Sequence, residues 1–438
     1  MASTYLTRTQ TAGNRRKGTF SAWFKRANLG YQYLMSWNST TSGTSLGDWI
    51  RFNGEALDIL KYTGSLPYRV QTNRLFRDTN AWYHLVVAYD SEQATASNRI
   101  KIYVNGVQET SFGTSSYPSQ NYDFEFNNNS IVACIGRNYD TEANFDGSMS
   151  HVHWCDGYAY SASDFGSTDA TTGEWKINTS PSVTYGTNGF FILKDGNSVT
   201  DQSGQSNNFT ANGTLTKTED SPSNVFATFN PLFQSLPTGG LSNGNNTAKT
   251  NGADSTWRSA FGNLGATSGK YYMEVKWVSG SHFVSGFASQ RTLSTHNFKD
   301  LTDTYSGGQY FGIYGTSLYT NGSSSGSYTA QASGNIIQLA LDMDNKKIYQ
   351  GINGTWNVGG NPSSGNGISI TGDTDEFWTF GISAYSNSGT GEYQANFGNG
   401  YFGSTQISSA GTNASGNGIF EYDVPTGYTA LSTKGLNL

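Results

Sequence analysis

The sequence is poor in cysteine, proline and charge. Of its 438 residues, 2 are Cys, 8 are Pro and 13% are charged, whereas soluble domains average about 25% charged residues. Two cysteines exclude a fold held together by several disulfides. Low charge beside 14% aromatic residues excludes a solvated disordered chain, because such chains are rich in charge and poor in aromatic side chains.

Long apolar runs and a dense basic face are missing as well. No stretch reaches the roughly 18 apolar residues of a membrane helix, and the first five residues show no secretion-signal pattern. The net charge is −6, and Arg15, Arg16 and Lys17, with Arg8 nearby, form the one tight basic cluster. We therefore expect a protein made in the cytoplasm without a signal peptide, with no nucleic-acid partner and no membrane insertion.

Period-2 alternation and turn residues are abundant. Apolar residues alternate over 19–25, 99–104, 270–277 and 335–343, and Asn105-Gly106 follows one of these runs. Alternation predicts half-buried strands, and Asn-Gly predicts a tight hairpin because both residues tolerate positive φ. With 53 Gly in the chain, the pattern is typical of short antiparallel strands.

The alternating segments fall into two groups. Residues 1–215 hold one group and residues 255–438 the other, while residues 216–254 contain Pro222, Pro231, Pro237 and an Asn/Gly-rich stretch. We predict an all-β chain of two antiparallel β sandwiches, with residues 216–254 as a Pro/Gly/Asn-rich connector, a linker or strap.

The cysteines and two histidines carry a possible metal pattern. On one strand, His151, His153 and Cys155 would face the same side, but no fourth zinc ligand follows at a suggestive spacing. We predict that Cys134 and Cys155 are free buried thiols without metal, and a single disulfide is the alternative.

Catalytic acids are not evident. A retaining glycosidase needs two carboxylates about 5 Å apart. Acids spaced i, i+2 occur three times, each near a turn signal: Asp123 and Glu125, Asp342 and Asp344, Asp373 and Asp375. Solvated turn acids explain these pairs, so we predict no catalytic residues and no enzyme activity.

Aromatic residues are the remaining functional material, because exposed rings bind sugars and proteins at low entropic cost. In residues 309–314, Phe311 and Ile313 share one strand face, while Tyr310 and Tyr314 take the other. The candidate ligand- or partner-binding residues are Tyr305, Tyr310, Tyr314, Tyr319, Tyr328 and Trp356. The alternative is that these rings pack against their own sandwich.

Calcium is the one cofactor that the sequence raises. Asp195, Asn197 and Asp201 offer oxygen ligands in residues 195–201 but do not complete an EF-hand loop. A hydrogen-bonded Asx turn is the alternative, and we otherwise expect no cofactor.

The first half resembles the LamG-like, concanavalin A-type jelly roll. The segments that carry this resemblance are 18–25, 79–90, 102–106, 135–136 and 145–147, and it covers about residues 1–165. The family includes glycan-cleaving enzymes, of which laminarinase-type members show Glu-x-Asp-x-x-Glu, a pattern missing here.

The second half resembles a SPRY domain over about residues 255–435. The carrying segments are 269–275, 286–288, 334–342, 353–354, 395–398 and 420–431. In SPRY domains, loops at one end of the sandwich form the partner surface, and this resemblance implies such a role for Tyr305, Tyr319, Tyr328 and Trp356.

The opening residues 5–9 and 12–17, and the pairing of a LamG-like with a SPRY-like half, resemble virion proteins of tailed phages of marine bacteria. This implies a non-catalytic structural protein of the virion, of tail-fibre or appendage type and in several copies as a homo-oligomer. Its partners would be a host-surface glycan or receptor, or neighbouring virion proteins. The alternatives are a capsid decoration or connecting subunit and, more weakly, a glycan-cleaving enzyme.

Overall fold

The computed structural model describes residues 4–38, 47–138, 143–194, 198–250, 256–294, 300–304, 308–385 and 390–437. The chain divides into two units, Met1–Lys217 and Thr218–Leu438. Asp195, Asn197 and Tyr305, which the sequence nominates as site residues, lie outside the described residues.

The first unit consists of short strands with 3-10 turns at Ala96–Asn98 and Ala162–Asp164. Its described strands are β1 (Tyr5–Thr9), β2 (Lys17–Arg26), β3 (Gln32–Asn38), β4 (Gly47–Asn53), β5 (Ala56–Tyr62), β6 (Tyr68–Leu75), β7 (Tyr83–Asp90), β8 (Ile100–Val104), β9 (Val107–Gln108), β10 (Phe112–Ser116), β11 (Val132–Ile135), β12 (Gly147–Asp156), β13 (Gly166–Thr168), β14 (Trp175–Ile177), β15 (Phe190–Ile192) and β16 (Thr210–Asn212).

These strands form two main antiparallel sheets, in the orders β10-β6-β5-β4-β3-β11-β1-β16 and β15-β12-β2-β7-β8-β9. The alternation in β2 puts Phe20, Ala22 and Phe24 into the apolar core. The hairpin predicted at Asn105-Gly106 is confirmed: the two residues have φ of 48° and 83° and connect β8 to β9.

Aromatic side chains and two buried histidines lie on the outer face of the six-stranded sheet. His84 is stacked between Trp23 and Trp175, at centroid distances of 4.9 and 5.9 Å. Trp175 Nε1 donates to His84 Nδ1 at 3.0 Å, so the neutral ring carries its proton on Nε2 and donates it to Ser21 Oγ at 2.9 Å. Burial lowers the pKa of His84 to about 3 and that of His153 well below its usual value.

Both cysteines are free and buried in the structure. Cys134 lies on β11 and Cys155 on β12, in different sheets. Burial raises the pKa of Cys134 to about 12 and raises that of Cys155, so both free thiols are protonated near neutral pH.

The second unit is also built from strands, with the helix α1 (Gln290–Leu293) and 3-10 turns at Pro362–Ser364 and Gly435–Asn437. Its described strands are β17 (Phe229–Gln234), β18 (Leu241–Ser242), β19 (Thr247–Lys249), β20 (Arg258–Gly262), β21 (Lys270–Ser279), β22 (His282–Ser289), β23 (Tyr310–Tyr314), β24 (Ser317–Thr320), β25 (Ser323–Ser325), β26 (Ile336–Asp342), β27 (Lys347–Ile352), β28 (Thr355–Val358), β29 (Ile368–Ser369), β30 (Trp378–Tyr385), β31 (Glu392–Asn396), β32 (Tyr401–Phe402), β33 (Thr405–Gln406) and β34 (Thr429–Ala430).

Two sheets enclose the core of this unit. One has the order β17-β20-β30-β22-β23-β24-β25, and the other has the order β18-β19-β31-β21-β26-β27-β28. In the second sheet, β29 also pairs with β27 and β34 with β21. The predicted faces of 270–277 and 335–343 are confirmed, since Tyr271, Val275, Ile337 and Leu341 are in the core. The chain is thus an all-β protein of two sandwiches.

The expected connector at 216–254 is corrected by the structure. Its described part from Thr218 onward belongs to the second unit, where β17 pairs with β20 and β19 with β31. Phe229 is completely buried in the core. The Pro, Gly and Asn residues do form turns, such as the one that the Gly240 N–H closes on the Pro237 carbonyl, but these turns link short strands within the sandwich.

The C-terminal segment is fastened to the outer face of the second sheet by a buried glutamate. The Glu274 carboxylate on β21 accepts hydrogen bonds from the backbone N–H groups of Glu421 and Tyr422 at 2.9 and 2.8 Å. The Tyr272 hydroxyl donates to it at 2.9 Å and Asn396 Nδ2 at 3.4 Å. Burial raises the pKa of Glu274 to about 7 despite these donors, which favour the ionised form.

Candidate binding surface

Tyr310 does not belong to a binding surface, which corrects the sequence prediction. It faces away from the core as expected, while Phe311 and Ile313 face inward. Tyr310 is nevertheless completely buried, and its hydroxyl accepts a hydrogen bond from the Gly322 N–H at 2.8 Å. It packs with Leu301, whose segment covers this part of the sheet.

A row of glycines makes room for that cover. Gly381, Gly286 and Gly312 pair directly across β30, β22 and β23. A Cβ on Gly312 would lie 2.0 Å from the Leu301 carbonyl oxygen, and one on Gly381 2.3 Å from the Phe261 ring. The absence of side chains in this row therefore lets Leu301, and the ring of Phe261 from the neighbouring strand β20, lie directly on the backbone of these strands.

Trp356 and Tyr328 lie apart from the other candidates. Trp356 is on β28, where its ring contacts Tyr272 and Tyr349 on the outer face of the second sheet. Tyr328 packs against the core between the sheets, and its N–H donates to the Thr316 carbonyl at 2.9 Å. The structure therefore divides the predicted set among different surfaces.

Five rings do come together on the outer face of the first sheet of this unit. We call them the ring cluster: Trp257, His282, Tyr314, Tyr319 and Tyr385. Antiparallel pairing explains their meeting, because β22 begins where its neighbours β23 and β30 end. His282 pairs directly with Tyr385, and Trp257 immediately precedes β20, whose Arg258 pairs with Ala384.

The rings contact one another at varied angles. The ring centroid of Trp257 lies 5.6 Å from those of both Tyr314 and Tyr385, with interplanar angles of 90° and 48°. The ring centroids of His282 and Tyr385 are 5.4 Å apart, and those of Tyr319 and Tyr314 are 6.3 Å apart. The Tyr314 hydroxyl and His282 Nδ1 are 2.8 Å apart and hydrogen-bonded.

The ring cluster is half-buried, and that gives it binding capacity. All five side chains are of intermediate exposure, so part of each residue is accessible to a ligand. Sequence reasoning finds Tyr314 and Tyr319 but misses Trp257, His282 and Tyr385. In the sequence, each of these three residues is marked only as an aromatic residue at the end of a strand. The strand pairing is needed to show that these ends lie side by side.

Five of the six acids that the sequence singles out have protein partners in the structure. Asp123 binds Arg16, Glu125 binds Lys61, Asp342 binds Asn345 and Lys270, Asp344 accepts a hydrogen bond from the Gly269 N–H, and Asp373 binds Ser289 and Arg291. These contacts tie acids to neighbouring segments, a structural use of the carboxylates.

Asp201, the described member of the calcium candidates, closes a turn. Its carboxylate accepts hydrogen bonds from the N–H groups of Phe191, Ser203 and Asn207 at 2.8 to 2.9 Å, and from the Ser203 hydroxyl at 2.8 Å. This is the Asx-turn arrangement. Within the described ranges there is no group of three or more His, Cys, Asp or Glu residues that could hold a metal ion.

The helices in the described part of the chain are all too short or too polar to cross a membrane.

Comparison with known proteins gives a family match for the first unit. Residues 2–164 match the family model described as the concanavalin A-like lectin/glucanases superfamily, Laminin_G_3. This agrees with the resemblance stated for residues 1–165. No curated protein matches the chain.

Solved structures align at low identity. The SPRY domain of human HERC1 is 19% identical, with a TM-score of 0.29, and the alignment covers 38% of this chain and 96% of that one. A heptameric SAP-like pentraxin from Limulus polyphemus is 16% identical, with a TM-score of 0.31 and coverages of 44% and 87%. A human SPRY domain is 13% identical, with a TM-score of 0.26 and coverages of 34% and 90%. Fold and family match together describe an all-β chain of two sandwiches whose first unit is similar to the concanavalin A-like superfamily.

Proposed function

We propose that the chain is a non-catalytic carbohydrate-binding protein and that the ring cluster of the second unit holds a neutral glycan. The observation that carries the proposal is the meeting of five half-exposed rings at one end of an outer sheet face. Rigid aromatic side chains supply large contact areas at low entropic cost, and their hydroxyl and ring N–H groups suit a ligand that is itself covered in hydroxyls.

The chemistry of the cluster favours a sugar without charge. Its members are one Trp, one His and three Tyr, so the described rings themselves offer aromatic faces, hydroxyls and ring nitrogens. Such groups stack on sugar rings and exchange hydrogen bonds with uncharged hydroxyls. The match of residues 2–164 to a lectin and glucanase superfamily supports carbohydrate as a ligand class of the chain as a whole. The protein partners of five of the six sequence-nominated acids support a protein that does not cleave it.

Replacing Trp257 with Ala is expected to weaken glycan binding about thirtyfold, which corresponds to about 2 kcal/mol for truncating a central aromatic contact. Tyr385→Ala should act in the same direction. The measurement is a glycan-array screen of the full chain, followed by calorimetric titration of the best neutral oligosaccharide into each variant.

Phe377→Ala is the matched control, since Phe377 is 52% exposed and immediately precedes β30, at the end opposite Tyr385. Unchanged affinity in Trp257→Ala would sink the ring-cluster assignment. New reducing ends appearing in the bound glycan would contradict a non-catalytic role and restore the glycan-cleaving alternative.

We also propose that the protein is a phage virion component, in several copies, whose ring cluster contacts a host-surface glycan. The support is the resemblance of residues 5–9 and 12–17 and of the two-sandwich order to virion proteins. We expect purified particles to contain the chain, and phage carrying Trp257→Ala to assemble normally but adsorb poorly. Failed incorporation of that variant would instead favour the decoration or connecting-subunit alternative.

A further inference from the structure

The outer face of the eight-stranded sheet in the first unit carries a second group of aromatic side chains, together with two arginines. We call it the arginine face: Tyr31, Trp49, Arg51, Asp58, Tyr62 and Arg69. Strand pairing sets Arg51 beside Asp58 and Trp49 beside Leu60, which in turn pairs with Arg69. Directly paired residues share a sheet face, so these side chains lie together on the face away from the core.

Two of the rings on this face are open to solvent. Tyr31 is 42% exposed and Tyr62 38%. Tyr62 stacks on the buried Trp49, with the ring centroids 5.5 Å apart at 26°. The Arg51 guanidinium carbon lies 4.7 Å from the Tyr31 ring centroid and 5.3 Å from that of Trp49. The rings are therefore held in place before any ligand arrives, which lowers the entropic cost of binding.

The charges on this face do not cancel. Nε and Nη2 of Arg51 both donate to Asp58 Oδ2, at 3.1 and 3.0 Å. Nε of Arg69 donates to Asp58 Oδ1 at 2.8 Å, and its Nη2 to Oδ2 at 3.1 Å. Among the described side chains of this face, two guanidinium groups thus share a single carboxylate, which leaves one net positive charge on this trio.

The other cations of β5 and β6 contact acids outside the arginine face. Lys61 binds Glu125 at 2.6 Å, and Arg74 binds Glu109. Within the described residues, the Nη1 groups of Arg51 and Arg69 have no hydrogen-bond partner, and the Arg69 side chain is 24% exposed. The positive charge and free guanidinium donors are therefore localised beside the exposed rings, on a chain whose net charge is −6.

We propose that the arginine face binds an acidic polysaccharide, with a sugar ring against Tyr62 or Tyr31 and a uronate carboxylate on the Arg69 guanidinium. Guanidinium groups match carboxylates in geometry as well as charge. A single excess charge suits one carboxylate per sugar unit, whereas a nucleic acid needs many phosphate contacts. This site is on a different unit from the ring cluster and takes a different class of ligand.

Methyl esterification provides a direct test, because it removes the charge of polygalacturonate while keeping the sugar chain. Oligogalacturonate, its methyl ester, alginate oligomers and single-stranded DNA are titrated into the full chain. We expect at least one of the two uronate oligomers to bind, and the ester to bind at least tenfold more weakly than oligogalacturonate if the latter is the ligand. Raising the salt concentration from about 0.05 to about 0.5 M should weaken the uronate complex, because it screens exposed charges.

Variants separate the charge from the rings. Arg69→Gln should weaken uronate binding at least fivefold, and Tyr62→Ala should weaken it to a similar extent. Tyr158→Ala is the control, since Tyr158 is another exposed aromatic of this unit, at 42%, and is not part of the arginine face. Trp257→Ala should leave uronate binding unchanged, so failure of the ring-cluster proposal does not affect this one.

Three results would overturn the proposal. The first is that neither uronate oligomer binds. The second is that Arg69→Gln binds the uronate as tightly as the unchanged chain does. The third is that single-stranded DNA binds as tightly as the uronate. The thermal unfolding transition of each variant shows whether it is folded. Arg69→Lys keeps the positive charge but not the fork of guanidinium donors, so it should retain part of the affinity for the uronate.

Discussion

Glu274→Ala is expected to lower the free energy of unfolding of the second unit by about 3 kcal/mol at pH 5. The substitution leaves the Glu421 and Tyr422 N–H groups and the Tyr272 hydroxyl without their acceptor, and each buried unsatisfied donor costs about 1–3 kcal/mol. The measurement is denaturant-dependent hydrogen exchange of the full chain, read by mass spectrometry on peptides from residues 270–279 and 392–396.

At pH 8.5, the decrease in the free energy of unfolding caused by Glu274→Ala should be only about 1 kcal/mol. A raised pKa of about 7 means that the folded state binds more protons than the unfolded state between about pH 4.5 and 7. The contribution of Glu274 to stability is therefore greatest at low pH and falls as pH rises through 7, where the buried charge must be desolvated. The Ala variant has no such charge.

Glu392→Ala is the matched control for this prediction. Glu392 is on the neighbouring strand β31, where it forms a half-exposed ion pair with Lys249 at 3.0 Å, and such pairs contribute about 0–1 kcal/mol. A loss below 1 kcal/mol in Glu274→Ala at pH 5, or a loss that grows with pH, would contradict the assignment of Glu274 as the fastening of the C-terminal segment.

The second large effect is expected in the first unit, with the opposite pH dependence. Lowering the pH from 7.5 to 5 should remove about 2 kcal/mol of stability through His84 alone, and roughly 4 kcal/mol by pH 3. His84 is neutral in the fold because its pKa is lowered to about 3, whereas the unfolded chain takes up the proton below about pH 6.5. The contribution of neutral His84 to the free energy of unfolding is therefore complete above about pH 6.5. It is lost as the pH falls, at about 1.36 kcal/mol per pH unit.

His84→Gln isolates this contribution from those of buried carboxyl groups such as Asp48, whose pKa is raised by burial. The Gln side chain does not titrate, so the variant should lose about 2 kcal/mol less than the unchanged chain between pH 7.5 and 5. Unfolding is followed by hydrogen exchange on peptides covering β7. Equal pH slopes, or an NMR titration of His84 near 6.5, would contradict the buried neutral ring.

Strand faces and tight turns are the features that sequence reasoning predicts well here, because they depend on neighbours along the chain. Phe20 and Phe24 are in the core as the alternation in β2 requires. Asn353-Gly354, like Asn105-Gly106, has positive φ at both residues, 49° and 85°. These local preferences do not depend on which strands become partners.

The connector shows where such reasoning fails. Pro, Gly and Asn between residues 216 and 254 indicate turns correctly, but composition does not reveal whether a turn-rich segment is free or paired. Phe229 becomes part of the core because β20, more than twenty residues further along the chain, pairs with β17. That long-range pairing has no signature in the composition of the segment itself.

The binding surfaces divide in the same way. Local alternation puts Tyr310 and Tyr314 on the outer face of one strand, but only one of them stays accessible. Leu301 covers Tyr310, whereas Tyr314 contacts Trp257 and His282 at the uncovered end of the sheet. Residue order thus establishes the all-β class, the strand faces and the turns, since each follows from a few adjacent side chains. Which rings are covered, and which meet to form a surface, follows only from pairing between strands far apart in the chain.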